Sequence, residues 1–281
     1  MMETIRYFLF DFWEAEGDPR IADYPLFRGG PWTAWSIIAF YVYFVTKLGP
    51  ALMKNREPMT LKSLILGYNL FMIAVNSYFF YEIVISHRFG IDMNMFNFER
   101  SKTPDYSPKA MHIVKLSYLF LLSKYLDLIE TVFFVLRKKH NQVSSLHVYH
   151  HSAVPILVHM FAKISSSGGP GAMFPFLNTF IHIIMYLYYS MAAMGLHKYL
   201  WWKKYLTQLQ LAQFVIFGIY GGFFYYNQKG YPPVFNYLGI CQPLIFFYMF
   251  YSFYRNSYNK RMEQQQQQRK MMATNGIDKN Q

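Results

Sequence analysis

Apolar runs of bilayer length, broken by short polar loops, dominate the pattern along this chain. Seven runs cover residues 32–52, 61–85, 112–136, 147–164, 173–194, 205–226 and 234–254. Most lie close to the ~20 residues that a bilayer core requires. The breakers between them are legible: a polar stretch at 86–110 with Pro104 and Pro108, the Ser/Gly run 165–171, and Lys229-Gly230-Tyr231-Pro232-Pro233. The pattern predicts an all-α polytopic membrane protein with seven transmembrane helices. Residues 1–31 are expected as a lumenal N-terminal segment with Phe8, Phe10, Phe12 and Trp13 in the membrane interface. Residues 32–258 form the membrane domain, and the polar stretch 259–281, with Gln264 to Gln268, reads as a disordered cytosolic tail.

Composition agrees with a membrane chain. Of 281 residues, 53% are hydrophobic, 21% aromatic and 15% charged, and the net charge is +12. A basic excess can signal nucleic acid, but here it sits in short loops between apolar runs, which points to loop bias and anionic ligands instead. Lys54, Arg56, Arg137, Lys138, Lys139, Lys198, Lys203, Lys204, Arg255 and Lys260 fall on one side. That side is expected to be cytosolic, which places the N-terminus in the lumen and the C-terminus in the cytosol. Cys241 is the single cysteine, so an intrachain disulfide and a cysteine-based zinc site are both excluded. The N-terminal apolar run is short and followed closely by acids, so it does not read as a cleaved signal.

Polar groups inside the spans carry the candidate chemistry. His147, His150 and His151 stand at i, i+3 and i+4, on one face of the fourth span. Three imidazoles beside a membrane are costly unless they do chemistry or bind a metal. Lys124, Asp127 and Thr131 share a face of the third span, beside Glu130. They are either a structural ion pair with its neighbour or the lining of a site. Asn178, His182, Tyr186 and Tyr189 share a face of the fifth span; Thr207, Gln210 and Gln213 recur at three-residue spacing on the sixth. The latter serve equally well as interhelical hydrogen-bonding groups or as ligand donors. His159 and His112 read as structural, and His87, His140 and His197 fall in loops. Polar faces on spans three to six, with basic clusters at one end, suit a long apolar substrate with an anionic head. Arg137, Lys139 and Lys204 are then placed to meet phosphate groups.

At this point the residues carry a family resemblance. Lys124-Tyr-Leu-Asp127-Leu-Ile-Glu130-Thr131-Val-Phe-Phe-Val-Leu-Arg137-Lys138-Lys139, followed by His147-Val-Tyr-His150-His151, resembles the signature and histidine box of the very-long-chain fatty acid elongases. The stretches 178–189 and 207–213 resemble two further blocks of that family, and the likeness runs in order from Leu26 to Tyr258. The chain departs from the family at Glu130, where Asp is usual, and at its end, which carries Lys279 alone instead of a dilysine signal.

The resemblance implies a membrane 3-ketoacyl-CoA synthase of the endoplasmic reticulum. It would condense a long-chain acyl-CoA with malonyl-CoA and release CoA and carbon dioxide, the first step of elongation in very-long-chain fatty acid and sphingolipid synthesis. It also implies that spans two to seven enclose a substrate tunnel as two inverted three-helix units, with the first span outside. No metal or redox cofactor is expected. The expected partners are the two CoA esters, membrane lipid, the 3-ketoacyl-CoA reductase, dehydratase and enoyl-CoA reductase of the cycle, and a second copy in a homodimer; nucleic acid is not among them. Imidazole can hold an acyl group, and the resemblance favours His150 as nucleophile over its neighbour His151. His182 and Asn178, with His147 or His151, would donate hydrogen bonds to the thioester oxygen; Lys124, Asp127, Thr131, Tyr186, Gln210 and Gln213 would line the substrate. The rival readings are a membrane di-iron desaturase or hydroxylase, which needs about eight histidine ligands, and a seven-helix receptor or transporter.

Overall fold

The computed structural model describes residues 6–101 and 103–259. Its described residues are helical throughout, apart from turns, loops and an isolated bridge between Glu99 and Lys229. Seven long helices follow one another: α1 (Trp32–Met53), α2 (Lys62–Ser86), α3 (Pro108–Leu136), α4 (Ser145–Ile164), α5 (Met173–Met194), α6 (Lys203–Asn227) and α7 (Pro233–Tyr254). Five of them, α1, α2, α5, α6 and α7, are long and apolar enough to cross a membrane, α5 with the preceding turn and α7 with the following one. The chain is therefore a multi-pass membrane protein. The other two, α3 and α4, are as long but carry the charges and imidazoles that dilute their hydropathy, among them Lys124, Asp127, Glu130, His147, His150, His151 and Lys163. Their starts are set by capping. Ser107 Oγ accepts from the Ala110 amide at 3.3 Å with Pro108 in the first turn, and Ser144 Oγ accepts from the His147 amide at 3.2 Å.

Six helices close a ring. α2 packs on α5, α5 on α6, α6 on α7, α7 on α4, α4 on α3, and α3 returns to α2. The α2/α5 and α6/α7 seams are the most extensive, and the α2/α3 and α4/α7 seams are thin. α1 lies outside the ring against α3 and α4, with Ile38, Tyr41 and Val45 buried against Leu128 and Val135. The ring encloses a cavity of about 180 Å³ to which all six helices contribute. Its walls are largely apolar, Phe120, Val154, Val158, Phe214, Phe217 and Phe246 among them. Along α4 the lining runs from His150 to Ser165, about 22 Å at the helical rise.

The α6/α7 seam depends on the absence of a side chain. A Cβ on Gly221 would lie 2.0 Å from the Gly239 carbonyl oxygen. Pro243, inside α7, has no N–H, so that carbonyl lacks its usual donor four residues on. The carbonyl freed by Pro243 is thus the one against which the bare Cα of Gly221 packs, the small-residue contact that membrane helices favour.

Of the N-terminal aromatic residues expected at the membrane interface, Phe10 is exposed, while Phe12 and Trp13 are not. Phe12 and Trp13 are buried in a cluster with Ile164, Phe224, Tyr231 and Phe235. Phe27 is fully buried and stacks on His159, ring centroids 4.6 Å apart, while His159 Nε2 donates to the Leu26 carbonyl at 3.0 Å. Asp18 ties the segment to the end of α4: its amide donates to the Lys163 carbonyl at 2.7 Å and its carboxylate accepts from Ser166 Oγ and Arg20 NH2, both at 2.6 Å. Burial pushes the Asp18 carboxyl up, but the hydrogen bonds from Arg20 and Ser166 outweigh it and hold it below its ordinary value. The segment covers helix ends on the side opposite the start of α4, where its aromatic residues pack against Ile164, Phe224 and Phe235. Tail residues 260–281, expected as disordered, lie outside the described residues.

Gly221→Ala should lower the thermal unfolding midpoint of the detergent-extracted protein by the equivalent of ~1–3 kcal/mol, the range for overpacking. Gly222→Ala, where nothing lies within 4 Å of an added Cβ, should leave it unchanged or raise it. Equal midpoints for the two variants would contradict the close-contact account.

Candidate active site

The polar residues of α3 divide into two groups. Lys124, one turn before Asp127, is 1% exposed. Its ammonium donates to Asn178 Oδ1 at 3.0 Å, pairs with Asp127 Oδ2 at 2.9 Å and lies 4.9 Å from the centre of the Phe120 ring. Asp127 is answered from α5 as well: Tyr186 OH donates to its Oδ1 at 2.9 Å and His182 Nδ1 stands 3.9 Å from Oδ2. Tyr68 of α2 completes this group, its hydroxyl donating to the Leu126 carbonyl at 3.1 Å and lying 3.3 Å from Tyr186 OH. The network ties α2, α3 and α5 across the ring.

One turn along α3, Thr131 and Glu130 face α4. Thr131 is fully buried, and its hydroxyl lies 2.8 Å from Tyr41 OH on α1 and 2.8 Å from His147 Nε2. The His147 and His151 rings lie 4.1 Å apart between centroids, and Glu130 Oε2 stands 3.7 Å from His151 Nε2. His150 points elsewhere. Of the three imidazoles of the box it alone lines the cavity, with its ring 5.3 Å from Phe246 and 6.0 Å from Phe250. The i, i+3, i+4 spacing puts the three on one side of α4, and the remaining angular offset separates His150 from the His147/His151 pair. The other ring neighbour of His150 is His151, 5.5 Å away between centroids.

The structure brings together most of the residues expected from sequence. Asn178 and His182 reach the α3 network, and Gln213 is buried at the cavity wall. Gln210 turns toward Met185, its Nε2 3.8 Å from the sulfur, and Thr207 bonds the Lys203 carbonyl of its own helix. Arg137 follows the last residue of α3, Lys139 is exposed in the next turn, and Lys204 opens α6 with its ammonium 5.9 Å from the centre of the Tyr254 ring. These cations lie at the helix ends nearest the box and do not contact the imidazoles. Sequence reasoning missed Tyr41, Tyr68, Tyr149 and Gln242. Gln242 lines the cavity and accepts a hydrogen bond from Tyr149 OH at 2.9 Å; an amide in the seventh apolar run, just before Pro243, was the available signal.

Glu130, His147 and His151 bring one ligand atom each within 4.8 Å of one another and could hold a divalent ion. A di-iron centre would need a second ligand set beside it. Among the described residues the other such group is Glu82, His87 and His112. His112 and Glu130 stand eighteen residues apart on α3, about 27 Å along the helix, too far for one two-iron centre.

Comparison with known proteins gives a consistent result. Residues 26–266 match the profile of the GNS1/SUR4 (ELO) family. The chain is 40% identical over 263 residues to very long chain fatty acid elongase 7 of Rattus norvegicus, covering 92% of this chain and 90% of that one. It is 39% identical over 255 residues to elongase 7 of Drosophila melanogaster, with coverage of 89% and 76%. With very long chain fatty acid elongase 1 of Homo sapiens it shares 40% identity over 249 residues, with coverage of 86% and 87%.

Removing Lys124 alone leaves Asp127 without its cation inside the ring, at a cost of ~3–5 kcal/mol. Lys124→Met should therefore deplete extractable protein. Lys124→Met combined with Asp127→Leu should restore yield without restoring turnover, because Asn178, Tyr186 and His182 all lose a partner. Yield measured beside fatty acid elongation activity tests this, and recovery of both in the double variant would assign the pair to packing alone.

Proposed function

The chain belongs to the GNS1/SUR4 (ELO) family, and from that premise we propose that it is a very-long-chain 3-oxoacyl-CoA synthase of the endoplasmic reticulum membrane. In this reading all seven long helices cross the bilayer, with the N-terminus lumenal and the C-terminus cytosolic. The ring of six helices forms the tunnel for the acyl tail. The observation that carries the reading is the placement of His150 on the wall of an apolar cavity, beside Phe246, with the α3–α5 polar network near it. A hydrophobic tail and a reactive thioester can then occupy one site, each in the surroundings it needs.

A ring nitrogen of His150 attacks the acyl thioester carbonyl. The C–S bond breaks, CoA leaves with the imidazole proton, and a neutral acyl-imidazole remains. Malonyl-CoA then loses carbon dioxide, and the enolate carbon attacks the acyl carbon, breaking the C–N bond. The imidazole recovers a proton, so each turnover takes up one proton from solvent. His182 and the amide N–H groups of Asn178 serve as donors to the oxygen on which charge develops. Asn178 is oriented for this because its Oδ1 is already engaged by Lys124. Thr131 and Tyr41 fix the ring of His147, which packs on His151 behind the nucleophile. The sequence of steps requires no metal or redox cofactor, and its product is passed to the reductase and dehydratase of the cycle.

Arg137, Lys139 and Lys204 meet the CoA phosphates at the cytosolic mouth. Neutralising Lys139 or Lys204 should raise the apparent KM for acyl-CoA more than it lowers kcat, and added salt should reproduce the effect. An unchanged KM at low salt would reduce these residues to determinants of orientation.

His150→Ala should lower condensation by orders of magnitude while the protein is still extracted in normal yield. Intact-mass measurement after mixing wild type with acyl-CoA alone should show the acyl adduct, absent from the variant. Full activity without an adduct would overturn the covalent path.

A further inference from the structure

Glu82, His87 and His112 form a second cluster of ligating side chains, at the opposite end of the ring from the histidine box. Glu82 comes from the last turn of α2, His87 follows its end, and His112 lies in the second turn of α3. The Glu82 Oε2 and His112 Nε2 atoms are 3.1 Å apart, and one ligand atom from each of the three residues lies within 4.8 Å of the others. The two imidazole rings are 5.7 Å apart between centroids and tilted by 31°.

His87 supplies the second, independent observation. It is 3% exposed, and neither of its ring nitrogens has a hydrogen-bond partner among the described residues. A buried imidazole with both nitrogens unanswered is costly. In the Glu130, His147 and His151 group, by contrast, His147 Nε2 is already engaged by Thr131. Asp92, the nearest further carboxylate, is engaged too: Arg88 pairs with it and Lys109 Nζ stands 3.2 Å from its Oδ2. The hydrogen bond from Arg88, with help from Lys109, holds the Asp92 carboxyl down to about 2. Asp92 is therefore occupied by the two cations beside the cluster, and Glu82, 3.1 Å from His112 Nε2, is the carboxylate left to face an ion.

We propose that Glu82, His87 and His112 bind a divalent transition-metal ion of the zinc type, with water in the fourth position. Two imidazole nitrogens and a carboxylate oxygen are a donor set that zinc accepts. Tetrahedral coordination at about 2.1 Å separates its donors by about 3.4 Å, so the wider donor pairs of the present cluster, all within 4.8 Å, draw together to hold the ion. His112, whose side chain is 43% exposed, gives the ion and its water a way in. The ion would clip the end of α2 to the start of α3 across a thin seam of the ring, beside Ile83 and Met93 of the cavity wall. Its role is structural and separate from the condensation chemistry. A metal here departs from the metal-free expectation that the family resemblance gave.

The test uses the full chain in detergent, purified through a tag without histidines, stripped with a chelator and titrated with Zn²⁺ against a chromogenic competitor. Wild type should take up one tightly held ion and its thermal midpoint should rise with Zn²⁺. His112→Ala, at the exposed ligand, should fold, lose that ion and show no midpoint shift; His87→Ala should do the same. No tight ion in wild type, or the same ion and shift retained in His112→Ala, would overturn the proposal.

Discussion

An ammonium group inside a ring of apolar helices has to be answered from within the ring, and the Lys124 side chain decides which helices do so. It reaches Asp127 on its own helix and Asn178 on α5. Asp127 in turn draws in Tyr186, and Tyr186 meets Tyr68 on α2. Burying these groups is expensive, and the expense is recovered only if every partner is present at once. The network therefore fixes the rotation of α3 about its own axis. With that rotation set, Thr131 meets His147 and Glu130 faces His151, while Leu116 and Phe120 turn to the cavity. The histidine box takes its orientation from a lysine about two helical turns away along α3.

Much of this arrangement was legible in the sequence. The apolar runs marked the long helices to within a few residues, because length and capping are local properties. The apolar runs put the starts of α3 and α4 at 112 and 147, whereas the caps Ser107-Pro108 and Ser144 begin them a few residues earlier, ahead of the first apolar positions. The spacing of Lys124, Asp127 and Thr131 placed them on one face, and the box spacing placed three imidazoles on one side of α4. What spacing could not supply was the partner across the gap. Thr131 shares a helix face with Lys124 but answers α1 and α4, whereas Lys124 answers α5. Tyr41 and Tyr68 look like ordinary aromatic residues in apolar runs until the packing shows their hydroxyls inside the polar networks. His87 was unremarkable as a loop histidine because nothing in its neighbours along the chain indicates that α2 and α3 will bury it.

The N-terminal segment shows the same limit from the other side. Its aromatic residues suit the membrane interface on composition, and composition cannot distinguish a lipid headgroup layer from the open end of a helix ring. The Asp18, Arg20 and Ser166 contacts settle the matter, because a carboxylate answered by two fixed donors holds the backbone where Phe12, Trp13 and Phe27 are covered.

The uneven seams of the ring have a mechanical consequence. α6 and α7 are locked at the Gly221–Gly239 contact, where no slack remains, and α2 and α5 pack along an extensive seam. The thin α2/α3 and α4/α7 seams are the joints at which the ring has the least contact to hold it closed. One joint is the α2/α3 seam. There a groove formed by Val75, Tyr78, Leu119 and Leu122 on the flank of the ring shares the side chain of Phe79 with the inner cavity. The Phe79 ring is therefore a wall that the outer groove and the inner cavity have in common.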